Sequence, residues 1–322
     1  MKLGVLTVLF GDKPFEETLD YVKSLGCEAV EIGCGGYPGD AHCKPAQLLA
    51  KGESAINAFK KAVTSRGLII SALSCHGNPI HPNPKIAKEH HDIFVNTCKL
   101  AKALGITRVI TFSGCPGGGE KDQVPNWIVA PWPPDHAQAL AWQWENRVIP
   151  YWKEAAKIAK ENGVRTICLE MHPNFVVYNP ETLLRLRAAV GSVIGANFDP
   201  SHLFWQGIDV MAAIRALGPA IGHVHAKDCR VYEENSRLNG VLDTKSYTEE
   251  IKRSWIFRAV GYGHDVGVWK DIVSTLRMVG YDHVLSIEHE DSLMSGDEGL
   301  KKAVACLKEA LITQKPGVAY WA

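Results

Sequence analysis

The chain has 322 residues, enough for one large domain, and its 35 Lys+Arg against 35 Asp+Glu give a formal net charge of +0. With no basic excess, neither nucleic acid nor an anionic membrane surface is an expected partner, and no run approaches the roughly 20 apolar residues of a membrane helix. The nine cysteines are scattered, odd in number and without a CxxC pair, so they read as small core residues of a protein in a reducing cytoplasm.

Eight short runs rich in β-branched or bulky apolar residues follow in chain order, at roughly 3–10, 28–33, 68–75, 107–112, 164–170, 193–198, 221–226 and 283–288. The first contains an apolar stretch too short for a signal sequence, lacks a cleavage-like site and makes a good first strand. Between the runs lie amphipathic helical stretches that stop at Gly26, Gly67, Gly105, Gly163, Gly191, Gly218 and Gly280. Glycine in that position is the usual left-handed cap. Eight strand–helix units predict an α/β chain closed into a (β/α)8 barrel, a single domain over 1–322, with its active site at the C-terminal strand ends.

Two segments exceed what eight plain units need. Residues 113–137 form a long Gly/Pro/Trp loop after the fourth strand, and 229–266 form an excursion after the seventh. The second carries Arg230, Tyr232, Arg237, Trp255, Arg258 and the turn Gly261-Tyr262-Gly263-His264. Both leave the catalytic face, so they can roof a pocket, and loops this long are more often functional than idle. Their tryptophans read equally as pocket wall or as anchors of the loop. Exposed aromatics such as Trp127, Trp132, Trp142 and Trp144 could also pair subunits of a homo-oligomer.

The last four strands share one further feature. Glu170 ends Thr-Ile-Cys-Leu-Glu, Asp199 ends Gly-Ala-Asn-Phe-Asp, His225 ends Gly-His-Val-His and Glu288 ends Val-Leu-Ser-Ile-Glu. One buried carboxylate could be a structural oddity; four strand-end side chains of compatible type point to a metal site. Mostly oxygen donors with one nitrogen suit Mn²⁺, Co²⁺ or Mg²⁺ better than a thiolate-seeking ion.

The motifs Cys-Leu-Glu170-Met-His-Pro, Asn-Phe-Asp199-Pro-Ser-His202, His223-Val-His225-Ala-Lys-Asp228, Gly261-Tyr-Gly263 with Trp269, and Gly280-Tyr-Asp with Ile-Glu288-His-Glu stand in one order and spacing along most of the chain. In this the sequence resembles the xylose isomerase-like sugar phosphate isomerase/epimerase superfamily, a TIM-barrel family. The resemblance implies a single divalent metal, often Mn²⁺, held by Glu170, Asp199, His225 and Glu288, with His202 as a second-shell or substrate-binding histidine.

Such an ion, chelating a carbonyl and a neighbouring hydroxyl, acidifies the adjacent C–H and stabilises the enediolate. Glu170 and Glu288 come from separate parts of the ring and can flank a sugar or polyol as acid-base pair, with His202 beside them. The expected reaction is isomerisation or epimerisation; expulsion of a β-substituent would make the protein a lyase or dehydratase. Ketose 3-epimerases have a glutamate and an arginine where this chain has Val176 and Val231, for which Arg230 is an imperfect substitute. The Lys227-Asp228 sequence and the excursion after it look closer to inosose isomerases or dehydratases and to barrel subunits that cleave 3-oxo-glycosides with a second subunit.

Of the other polar residues, His76 at the end of the third strand and His172 beyond Glu170 read as substrate contacts or structural hydrogen bonds. Lys227 and Asp228 form a rim ion pair or contact substrate, and His264 reaches the pocket if the excursion folds over it. His223 lies beneath the site, and His90 and His91 read as surface residues of a helix. The fold also resembles endonuclease IV, but its three-metal cluster needs extra histidines, and the fourth strand here ends in Thr111-Phe112-Ser113. A barrel that merely binds a sugar is the remaining alternative.

Overall fold

The apolar runs form parallel strands because both of their faces are covered. In the computed structural model, which describes residues 1–321, these are β1 (Lys2–Leu6), β2 (Ala29–Gly33), β3 (Ile69–Ser74), β4 (Arg108–Phe112), β5 (Thr166–Glu170), β6 (Ile194–Phe198), β7 (Ile221–Ala226) and β10 (Val284–Ile287). They close in the order β1-β10-β7-β6-β5-β4-β3-β2. Helices fill the connections, and the seven glycines expected at helix ends all have positive φ. Gly105, with φ 76°, closes the helix Pro84–Leu104 by donating its N–H to Lys102 O.

The first strand is shorter than its apolar run. Pairing with β2 ends at Leu6 opposite Glu31 and pairing with β10 ends at Val5 opposite Ile287, the last residue of β10, and Thr7–Phe10 turn into a 3₁₀ helix. Eight of the nine cysteines are buried and Cys306 is half-buried; all are free. Trp144 is fully buried and Trp127 half-buried, so among the loop aromatics read as subunit contacts Trp132 is the one that stands out in solvent, 76% exposed. No helix among the described residues is long and apolar enough to cross a membrane.

The excursion after β7 is built on an antiparallel hairpin of β8 (Asp228–Val231) and β9 (Trp255–Arg258), joined through the helix Glu233–Asn239. Trp255 stacks on Trp205 with centroids 4.5 Å apart, and the Arg258 guanidinium meets Asp291 at 2.9 Å. These contacts fasten the hairpin to the loops after β6 and β10. The other long segment is held from within: Gly118 and Gly119 donate backbone N–H groups to Asp122, and Gln143 donates to the carbonyls of Gly117 and Asn126.

The barrel interior is polar below the catalytic face. Glu31, Ser71, Asn197, His223 and Ser286 sit within strands and are buried. His223 donates from Nδ1 to Asn197 Oδ1 at 3.0 Å and turns Nε2 toward Ser71 at 3.2 Å; burial pushes its pKa down to about 3, so it serves as a neutral bridge.

Candidate metal centre

β5 ends at Glu170, Asp199 and Glu288 directly follow β6 and β10, and His225 stands near the end of β7. Barrel closure brings them together so that one donor atom from each lies within 4.8 Å of the others. Each is oriented from behind. Asp199 caps the helix Pro200–Phe204 by accepting from Ser201 N at 2.8 Å through Oδ1, which leaves Oδ2 facing inward. Glu170 accepts from Asn197 Nδ2 at 2.9 Å and is met by His76 at 3.0 Å and His202 at 3.2 Å. His225 directs Nε2 at both oxygens of Glu31, each 3.0 Å away, and Ser74 donates to the same carboxylate. That contact places the Nε2 proton on the Glu31 side and leaves Nδ1 facing Glu170 and Glu288.

The inward atoms have no hydrogen-bond partner. Asp199 Oδ2, His225 Nδ1 and Glu288 Oε2 are buried and make no hydrogen bond, although charged groups stand close: His202 Nε2 lies 3.2 Å from Asp199 Oδ2, Lys227 Nζ 3.3 Å from Glu288 Oε2, and His225 Nδ1 3.2 Å from Glu170 and 3.0 Å from Glu288. Buried polar atoms are nearly always paired. Ligand atoms that converge without the geometry of a hydrogen bond fit a cation as their common partner, and three carboxylates with one imidazole suit a divalent ion. The second group of candidate ligands, Glu31 with His223 and His225, lacks this character. Its Glu31 and His223 are engaged with His225, Ser74, Asn197 and Ser71.

The electrostatics of the cluster favour positive charge at its centre. Burial pushes Asp199 up to about 6 against the pull of His202 and Lys227. Burial would also raise Glu170, but the imidazoles of His202, His225 and His76 beside it hold it well below the usual carboxylate range. Glu288 is likewise lowered, burial being outweighed by Lys227 and His225. His225 is carried well above the ordinary imidazole range, since Glu31 and Glu288 outweigh its burial. Burial would raise Glu31 as well, yet His225 and His223 bring it to about 2.

Above the quartet lies a small cavity of about 140 Å³ to which Glu170, Glu288, His76, His172 and Lys227 all contribute. Lys227 is buried and pairs with Glu290 at 2.6 Å and Glu288 at 3.3 Å; its ammonium lies 4.2 Å from the Phe257 ring centroid. His202 bridges Glu170 and Asp199 at 3.2 Å each, its ring 4.1 Å from that of His172. His90 is half-buried beneath Gly77, where its Nδ1 accepts from Asn78 N at 2.9 Å; His91 contacts Tyr151 OH at 3.2 Å. These two therefore hold the loop after β3 and the helix packing, not a free surface.

Three residues named from the sequence do not line a cavity over the quartet. Asp228 is fully buried and accepts hydrogen bonds from the backbone N–H groups of Gly261, Gly263 and His264, from Trp269 Nε1, and from His264 Nδ1 at 2.8 Å. A side chain on Gly263 would collide with the Cys229 carbonyl and with Asp228 itself, which explains glycine there. His264 stacks on Phe204 at 3.7 Å, and Arg230 donates to Gly263 O at 3.2 Å. Together they fasten the turn that roots the excursion. Asp228→Ala should cost several kcal/mol, at roughly 1–3 kcal/mol for each buried donor left unpaired. Urea unfolding checks this, and wild-type stability would contradict the anchoring role.

Residues that the strand-end reading missed are Glu31, Asn197 and the wall residues Tyr37, Phe112, Phe175, Tyr247, Phe257 and Glu290. For Glu31 a signal existed: an acid in the middle of the apolar run Ala-Val-Glu-Ile-Gly. The aromatics carry none, being indistinguishable from core residues until the loops are placed.

The sequence matches the family described as xylose isomerase-like TIM barrel over residues 19–310. It is 43% identical over 313 residues to the uncharacterized protein YfiH of Bacillus subtilis (strain 168), covering 97% of this chain and 99% of that one. Similar solved structures include D-psicose 3-epimerase with D-tagatose from Clostridium cellulolyticum H10, with TM-score 0.61, 16% identity, and 96% and 98% of the two chains covered. The probable 3-DHS dehydratase AsbF from Bacillus anthracis gives TM-score 0.64 at 16% identity over 96% and 99%. The IOLI protein with a binding zinc atom gives 0.63 at 17% over 97% and 98%.

Proposed function

Because the chain belongs to the xylose isomerase-like TIM-barrel family, we propose that it is a divalent-metal-dependent isomerase or epimerase that takes a proton from the carbon beside a sugar or polyol carbonyl. Glu170, Asp199, His225 and Glu288 would hold the ion, Mn²⁺ by preference and Co²⁺ or Mg²⁺ as alternatives. When bound, such an ion supplies Lewis-acid polarisation of the substrate carbonyl. The observation that carries the reading is that Glu170 and Glu288, from β5 and from the end of β10, face one small cavity and also belong to the four residues whose donor atoms lie within 4.8 Å of one another.

The chain's own groups divide the remaining work. Glu170 and Glu288 are the acid-base pair, one taking the proton and the other returning it. His76, Asn197 and His202 hold the Glu170 carboxylate in one orientation, so it meets the substrate carbon without reorganising. Lys227 brings a buried positive charge to the cavity and stabilises negative charge that develops on substrate oxygen. His172 contacts substrate from the wall.

Elimination is the second reading, since it begins with the same abstraction and differs only in the fate of the electron pair. Lys227, 2.6 Å from Glu290 at the cavity edge, could supply the proton a departing group needs. The similar solved structures include both an epimerase and a probable dehydratase.

The reading is tested by incubating the metal-loaded protein with keto-sugars in D₂O. Deuterium should enter a carbon beside the carbonyl, and absence of exchange with all of a keto-hexose, keto-pentose and inosose panel would count against it. Glu31 provides a further check. Glu31→Gln leaves the four ligands in place but weakens the hold on the His225 ring, so Mn²⁺ affinity should fall roughly 10–100-fold. Calorimetric titration of metal-free protein measures it; an unchanged affinity would leave Glu31 without that role.

A further inference from the structure

The cavity over the carboxylates is the inner end of a larger space. It shares Tyr37, Phe112, His172 and Glu290 with an outer cavity of about 560 Å³, so one opens into the other. The outer volume falls in the roughly 300–1,000 Å³ range that encloses drug-sized ligands. The inner volume of about 140 Å³ does not reach that range.

Rings make the outer walls. Phe112 and Phe175, from the β4 and β5 ends, stack with centroids 4.2 Å apart and planes 19° apart. Tyr247 and Phe257, from the excursion, lie 5.8 Å apart, also with 19° between their planes. These rings are braced. The buried Arg253 guanidinium lies 4.3 Å from the Tyr247 centroid, and its Nε donates to Trp255 O at 3.1 Å. Lys227 sits on Phe257 while its ammonium is tied to Glu290.

Braced planar walls receive a flat apolar group at small entropic cost. A second hydroxylated ring would need a hydrogen-bond partner for each hydroxyl it buries, and the outer lining is mostly ring and aliphatic surface, its polar groups being Glu290, His172, Asn174, Ser292 and the hydroxyls of Tyr37 and Tyr247. Resting on the reading of the inner end as the carbonyl-activating site, we infer that the substrate is a sugar- or polyol-derived ketone bearing an aryl or other planar apolar substituent. The polyol end occupies the inner cavity and the planar group lies against Phe175, Tyr247 and Phe257.

Binding alone tests this, independently of turnover. Calorimetry on the metal-loaded full chain uses phenyl β-D-glucopyranoside, methyl β-D-glucopyranoside and cellobiose as probes. The phenyl glycoside should bind about tenfold tighter than the methyl glycoside, the scale expected for burying one aromatic face. In Tyr247→Ala and Phe175→Ala that advantage should shrink toward unity while methyl glycoside binding stays as it was. Tyr247 is 53% exposed, so its variant does not endanger the core. Equal affinities, no binding of the phenyl glycoside, a preference for cellobiose, or an aryl preference that survives both substitutions would each overturn the inference. Deuterium exchange into small ketoses reports on the inner site separately, so the two readings can fail independently.

Discussion

Glu170→Gln and Glu288→Gln should each lower deuterium exchange at the substrate carbon by at least the roughly 10²–10⁴-fold that general acid-base catalysis contributes. Glutamine keeps an oxygen beside the ion but cannot accept a proton, so a loss of exchange with metal retained isolates the proton-transfer role. For Glu170 the surroundings sharpen the test. Its carboxylate is met by Asn197, His76 and His202, and the substituted amide can still accept from some of these donors, so the site keeps its shape. His202→Ala should slow turnover or weaken binding without emptying the centre, since His202 touches Glu170 and Asp199 but is not one of the converging four. Full exchange in both Gln variants would move the base elsewhere, with His76 and His172 next in line, and leave the two glutamates as ligands only.

The second large effect is loss of the ion. Asp199→Ala combined with His225→Ala removes two of the four converging donors, one of them the imidazole whose Nδ1 faces Glu170 and Glu288. The variant should emerge from dialysis essentially free of metal when the wild type retains one equivalent, as read by elemental analysis. The change also removes the group that holds Glu31 low, so the fold of the variant is checked by circular dichroism before the metal content is interpreted. Stoichiometric metal in the folded double variant would contradict the ligand assignment.

The barrel was legible because its signals are local. Each strand is a short apolar run, seven helical stretches stop at or close to a glycine such as Gly105 whose positive φ is a property of one residue, and the polar residue at a strand's exit marks the catalytic face. The quartet could be read one strand end at a time. Glu31 and Asn197 were not read this way because they lie inside apolar runs, and their meaning depends on a partner brought up by closure of the ring. Glu31 meets His225 across 194 positions of sequence.

The excursion shows the same limit from the other side. Its charged residues drew attention, yet Arg230 and His264 fasten the root of the hairpin, while the wall is made by Tyr247, Ile256 and Phe257. Composition identifies a loop rich in aromatics and arginines; which of them turn inward is decided by the β8–β9 pairing, with Asp228 opposite Arg258 and Cys229 opposite Phe257. The first strand is shorter than its apolar run for a related reason. Hydrophobicity continues through Phe10, but the ladder stops at Leu6: β10 ends at Ile287, opposite Val5, and the chain turns into a 3₁₀ helix at Thr7 while β2 continues to Gly33 beside β3.

The most direct test of the central claim is an anomalous difference map from crystals of the Mn²⁺-loaded protein, collected above and below the manganese edge. One peak is expected at the C-terminal mouth of the barrel, with an atom from each of Glu170, Asp199, His225 and Glu288 at roughly 2.0–2.6 Å, the range of oxygen and nitrogen bonds to divalent ions. A peak among Glu31, His223 and His225, or none in crystals whose solution holds excess Mn²⁺, would contradict it.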